Sequence, residues 1–131
     1  MKKDINIPDV KDVSIAVVSE YNAIYKTNDW NVYIINDTND LLEMVLIVSK
    51  GYTESKITST MRHKLEKLPP KSYAKIELMQ EDVLALNNEF KVTFFKENKM
   101  FDKTYLFRKN SINTKALQTI PLMNAKGVLV K

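Results

Sequence analysis

The sequence predicts a mainly β protein, a single antiparallel β-sandwich with at most one or two short helices. Three observations lead there. Short runs of apolar, β-branched and aromatic residues recur along the chain. Polar turn residues separate those runs, and only Glu81–Leu86 reads as a good local helix former. A chain of 131 residues that is 44% hydrophobic and 27% charged has the size and balance of one globular domain with a substantial core. Internal repeats, low-complexity runs and flexible linkers are missing from the sequence. Residues 10–131 are therefore expected to form one domain behind a polar arm, residues 1–9, broken by Pro8.

The first element is the ambiguous one. Val10, Val13, Val17, Tyr21 and Ile24 recur three or four residues apart, which suits a helix. Val13, Ile15 and Val17 alternate equally well as a strand, and the valine and isoleucine content favours that state. The alternative is an α+β fold with a helix over 10–25. Next come Trp30–Ile35 and Leu41–Val48, two apolar runs flanking Asn36-Asp37-Thr38-Asn39-Asp40. Five turn formers between two such runs predict a β-hairpin. Both faces of that hairpin read as apolar. Trp30, Val32 and Ile34 fall on one face and Tyr33 and Ile35 on the other. Leu42, Met44, Leu46 and Val48 fall opposite Leu41, Val45 and Ile47. A sheet with one wet face alternates cleanly, so something must cover the second face.

Ile57–Leu65 reads as a half-exposed strand, with Ile57, Met61 and Leu65 inward. After the Pro69-Pro70 turn, Tyr73–Leu78 alternates with Ala74, Ile76 and Leu78 inward. Phe90–Lys96 and Lys103–Arg108 form a second hairpin joined by Glu97-Asn98-Lys99. Its core face is Phe90, Val92 and Phe94. Gly127–Val130 is the last strand, and Pro121 suits an edge or a bend.

The run from Trp30 to Thr38, followed by Leu42–Val48 and then by Leu68-Pro69-Pro70-Lys71-Ser72 before Ile76, has a familiar order. It resembles the cytoplasmic immunoglobulin-like sandwiches of the major sperm protein and pilus-chaperone type. The resemblance covers residues 28–95 and implies an immunoglobulin-like fold. The chain is also similar to short uncharacterised proteins of Bacteroidetes-type bacteria, which implies a bacterial source and supplies no activity to carry over. Neither resemblance carries over a functional residue. The paired basic anchor that the chaperones use for a peptide terminus has no matching position.

Chemistry is sparse. There is no cysteine, which excludes disulfides, thiolate catalysis and Cys-ligated zinc. His63 is the only histidine and the only glycines are Gly51 and Gly127, so a nucleophile elbow, a Walker loop and a dinucleotide fingerprint are all ruled out. Alternation puts His63 with Met61 and Leu65, as a packed or rim side chain. Asp37 and Asp40 bracket a loop that Asx-turn bonding explains, and Leu41 and Leu42 interrupt any EF-hand pattern. No catalytic residue, metal or cofactor is expected. A deep pocket gathering His63 with Asp or Glu side chains would revive an enzyme or ligand carrier.

Two surfaces remain. Tyr33, Ile35, Val45 and Ile47 are the candidate interface for a protein partner or a homodimer, in competition with an internal cover from segment 10–25 or the C-terminal strand. Lys91, Phe95, Lys103 and Arg108, in the basic aromatic stretch 90–109, are the candidate contacts for nucleic acid or another polyanion. Charge is uneven in the same sense: residues 1–50 hold five lysines and eight carboxylates, whereas residues 51–131 hold fifteen basic side chains and eight carboxylates. The expected protein is non-enzymatic and works through protein contacts. No apolar run is long enough to cross a bilayer, the N-terminus lacks a signal-peptide pattern, and cysteine is absent; together these predict a cytoplasmic location without membrane contact.

Overall fold

The valine- and isoleucine-rich stretch at 13–18 is a strand. In the computed structural model, which describes residues 9–131, β1 spans Val13–Asn22 and every residue from Val13 to Val18 is buried. Burial of successive residues means that both faces of β1 are covered, which explains a sequence that fitted two periodicities. The helix alternative over 10–25 is thereby overturned. The arm expected at residues 1–9 lies outside the described residues except for Asp9.

Eight further strands follow: β2 (Thr27–Asn36), β3 (Leu42–Tyr52), β4 (Met61–Leu68), β5 (Ser72–Met79), β6 (Asn87–Lys96), β7 (Lys99–Phe107), β8 (Gln118–Thr119) and β9 (Lys126–Val130). They form two packed antiparallel sheets, ordered β5-β2-β1-β9-β8 and β4-β3-β6-β7. The predicted sandwich is present. Glu81-Asp82-Val83 makes one 3-10 turn, and a second covers Thr114–Ala116.

The hairpin expected across Trp30–Tyr52 does not form. Strand β2 pairs with β1 and β5, while β3 pairs with β4 and β6, so the 36–42 loop crosses from one sheet to the other. The cause is Asn36, which is fully buried at the end of β2. Its side-chain Nδ2 donates to the carbonyls of Asp40, Leu68 and Pro69, and its Oδ1 accepts from Thr38. An Asx turn that also grips the proline turn directs the chain toward β4 rather than back along β2.

Two bulges then reset which side chains face inward. Between Glu43 and Leu46, β3 carries one residue more than β6, and Met44 takes a φ of 49°. The extra residue places Leu42 on the same buried face as Val45 and Ile47, not opposite them. In β5 the register against β2 slips between Val32 and Tyr33. Leu78 consequently turns out and Met79 is buried in its place.

The inter-sheet core gathers Ile15, Val17, Val32, Ile34, Val45, Ile47, Phe90, Val92 and their neighbours. Phe94 stacks on Phe101 at 5.3 Å and Phe90 meets Phe107 edge-on. The buried Tyr105 hydroxyl, on β7, donates to the Val13 carbonyl on β1 and ties the sheets together. A second, smaller cluster lies on the outer face of the first sheet. There Ala16, Val18 and Ile35 are covered by Ile120 and Met123 from the segment after β8.

Candidate functional site

The four candidate interface residues do not share a surface. Val45 and Ile47 lie in the inter-sheet core, and Ile35 lies under Ile120 and Met123; all three are fully buried within the one chain. Tyr33 is half-buried at the rim of the outer cluster. Its hydroxyl donates to Glu20 Oε1, which also accepts from Asn31 Nδ2. Burial, and then the hydrogen bond and charge of Glu20, push the Tyr33 phenol up to about 12. The internal cover that competed with a partner is therefore present for Ile35, and it comes from residues 120–125.

Ile24, Tyr25 and Ile57, in connections between strands, are the most exposed apolar side chains, and a contiguous exposed apolar group lies on the outer face of the sheet β4-β3-β6-β7. Met44 is 51% exposed, Leu46 41%, Phe95 39% and Met100 56%. The register makes them neighbours: Phe95 sits between Glu43 and Met100, and Leu46 sits beside Thr93. One row across the four strands reads Lys64, Leu46, Thr93, Asp102; the next reads Arg62, Val48, Lys91, Thr104. Basic side chains thus collect on the β4 side and Asp102 lies on the β7 side. Periodicity alone paired Met44 and Leu46 with Leu42, as one covered face. Only the bulge in β3 separates them.

The polyanion candidates divide between two faces. Lys91 and Phe95 project from the outer face just described. Lys103 pairs with the buried Val92, on the opposite side of edge strand β7, with its ammonium 5.2 Å from the Tyr105 ring. Arg108 lies beyond the end of β7, where its carbonyl accepts from Ser111. The register separates Lys91 from Lys103, because β6 and β7 partner Lys91 with Thr104 and Val92 with Lys103.

A titratable cluster that the sequence does not bring together stands between the sheets at the β4–β5 edge. His63 Nε2 lies 2.7 Å from Glu77 Oε1, and Ser49 Oγ donates to the same oxygen at 2.8 Å. The β5 slip sets Glu77 opposite the buried Val32, so its carboxylate faces inward rather than into solvent. The serine and the histidine both bond the carboxylate instead of each other, so this is no nucleophile–base–orienter relay. Beside Glu77 opens a cleft of about 330 Å³ whose lining includes Ser49, Met61, Asp82 and Phe90. The outer end of the Asp37–Asp40 loop is fastened by a Lys71–Asp37 ion pair at 3.0 Å. Among the described residues no group of three or more His, Cys, Asp or Glu side chains is placed to hold a metal ion, and no helix is long and apolar enough to cross a membrane.

No protein-family model matches this sequence, and no curated protein matches it significantly.

Proposed function

We propose that this chain is a non-enzymatic, immunoglobulin-type sandwich that works through protein contacts, with a second copy of itself as the first partner. The observation that carries this proposal is the apolar patch Met44, Leu46, Phe95 and Met100 on the outer face of the second sheet, each side chain about 40% exposed or more. The strand distribution supports the fold type. Strands β1, β2 and β5 share one sheet and β3, β6 and β7 the other, as the A, B, E and C, F, G strands do in immunoglobulin domains.

Charge supports self-pairing. A two-fold axis lying in the interface parallel to the strands sets the β4 side of one copy over the β7 side of the other. It preserves position along the strands, so Lys64 of each copy meets Asp102 of its mate, two residues that share one row. The same operation sets Leu46 over Thr93 of the mate and Phe95 over the bulge at Glu43 and Met44, an isologous arrangement. A cytoplasmic location without membrane contact belongs to the same proposal.

Sedimentation velocity over a concentration series tests it. The expected result is a dimer that Leu46→Glu dissociates while the fold stays intact. A wild-type chain that remains monomeric at high micromolar concentration removes the homodimer.

A second function has a specific observation behind it. Arg62, Lys64 and Lys91 lie on adjacent rows of that face, the Lys64 row next to that of Phe95, and form no ion pair among the described residues. Cations around an aromatic platform suit a polyanion such as single-stranded nucleic acid. Titration with a labelled oligonucleotide at two salt concentrations tests it, because phosphate contacts release counterions and make affinity fall steeply with salt.

A further inference from the structure

We infer that the cleft beside Glu77 binds a protonated primary amine carried on an apolar stem. Four features of the cleft lead to that chemistry. The first is the carboxylate itself. Regular pairing would set Ile76 opposite the buried Val32; the slip sets Glu77 there instead, facing between the sheets. Bulges that re-aim one polar side chain into a gap are features of sites.

The second is its free oxygen. Both bonds to Glu77, from Ser49 and with His63, use Oε1. Oε2 makes no hydrogen bond among the described residues, and it is not sealed either, since Asn31 Oδ1 is the one fully buried side-chain oxygen or nitrogen there without a partner. Glu77 lines the cleft, and its carboxylate keeps one oxygen unbonded among the described residues. Ser49 and His63 hold the carboxylate in place, which lowers the ordering cost of binding.

The third is charge. Asp82 supplies a second carboxylate to the wall. Lys50 borders the cleft only through its backbone: its ammonium is on the outer face, 3.8 Å from Glu89 and over the Tyr52 ring. The lining is therefore net negative. The fourth is the apolar wall formed by Met61, Met79 and Phe90, with Met61 about half exposed. A volume of about 330 Å³ is at the small end for ligand sites and admits a short alkyl chain with a cationic head. An ammonium offers three donors to Glu77 Oε2 and its neighbours, in charge-assisted bonds.

The same chemistry comes from a free alkylamine or from a lysine side chain of a peptide, and the experiment separates them. The full chain, labelled with 15N, is titrated near neutral pH with n-hexylamine, with Nα-acetyl-lysine methylamide and with hexanoate. Saturable shifts of the Ser49, Gly51 and Gln80 amides are expected, with Leu46 and Lys91 on the outer face unmoved. Saturation by hexylamine alone assigns a free amine, and saturation by the lysine derivative assigns a side chain. Glu77→Gln is expected to weaken binding about tenfold, as loss of a charge-assisted bond requires. If that variant fails to fold, Asp82→Asn on the exposed turn reads the second carboxylate with a smaller loss. Equal response to hexanoate, absence of saturable shifts with both amines, or unchanged affinity in both variants overturns the inference. The outer-face dimer stands or falls independently of these results.

Discussion

Tyr105 shows how much one side chain decides in this fold. Its ring is packed in the core and its hydroxyl donates to the Val13 carbonyl across the sheet gap. Tyr105→Phe keeps the packing but leaves a buried carbonyl without its donor, an expected cost of about 1–3 kcal/mol in denaturant unfolding. Burial also raises the Tyr105 phenol above its ordinary value, and Tyr33 rises to about 12. A raised phenol means that the folded state favours the neutral form. That contribution is complete below the ordinary value of 10.0 and is lost as pH climbs through the folded-state values. Stability measured by denaturation is therefore expected to fall from about pH 10 upward, and less steeply in Tyr105→Phe; a flat profile from pH 9 to 12 would contradict the assignment. Gly127 is a second such residue. A Cβ there would stand 2.6 Å from the Val17 carbonyl oxygen, so Gly127→Ala is expected to displace β9 from β1 and lower the melting temperature. Neither role was legible in the sequence. Nothing in a tyrosine's neighbours along the chain names a carbonyl on another strand as its acceptor.

At the scale of elements, alternation located strands well and faces less well. The run Phe90–Lys96 was read with the right inward set, because β6 is regular there and joins β7 through Glu97 and Asn98, both with positive φ, as a two-residue hairpin turn demands. Trp30–Ile35 likewise divides into the two faces that periodicity gives. The errors fall at the bulges. One extra residue in β3 moved Leu42 to the side of Val45 and Ile47 and left Met44 and Leu46 in solvent; one slip in β5 exchanged Leu78 for Met79. A bulge changes parity without changing composition, so no count of apolar positions detects it. The 36–42 loop departs from a hairpin for a related reason. Asn36 and Thr38 advertise a turn, but the three carbonyls that fix its direction come from Asp40 and from the distant Leu68–Pro69 pair. The doubly apolar β2 does have an internal cover. Ile35→Ala, under Ile120 and Met123, and Ile47→Ala, between the sheets, are each expected to cost about 2–5 kcal/mol with no change in oligomeric state. Dissociation of a dimer by either, with stability unchanged, would show that these side chains face a partner after all.

For the molecule as a whole, the fold class was readable because turn residues and short β-rich runs repeat at the spacing a sandwich needs. The two candidate surfaces were not, because both are assembled from strands far apart in the chain. The outer face unites β3, β4, β6 and β7, and the cleft unites Ser49, His63 and Glu77 across the two sheets. Solvent-accessible methionines report directly on whether a second copy covers the Met44–Leu46–Phe95–Met100 face, as proposed. Met44 and Met100 lie on that face, whereas Met61, similarly exposed, lines the cleft and serves as an internal control. Oxidation footprinting across a concentration series is expected to show Met44 and Met100 becoming protected as concentration rises, while Met61 reacts at a constant rate. Equal, concentration-independent oxidation of all three methionines would contradict it.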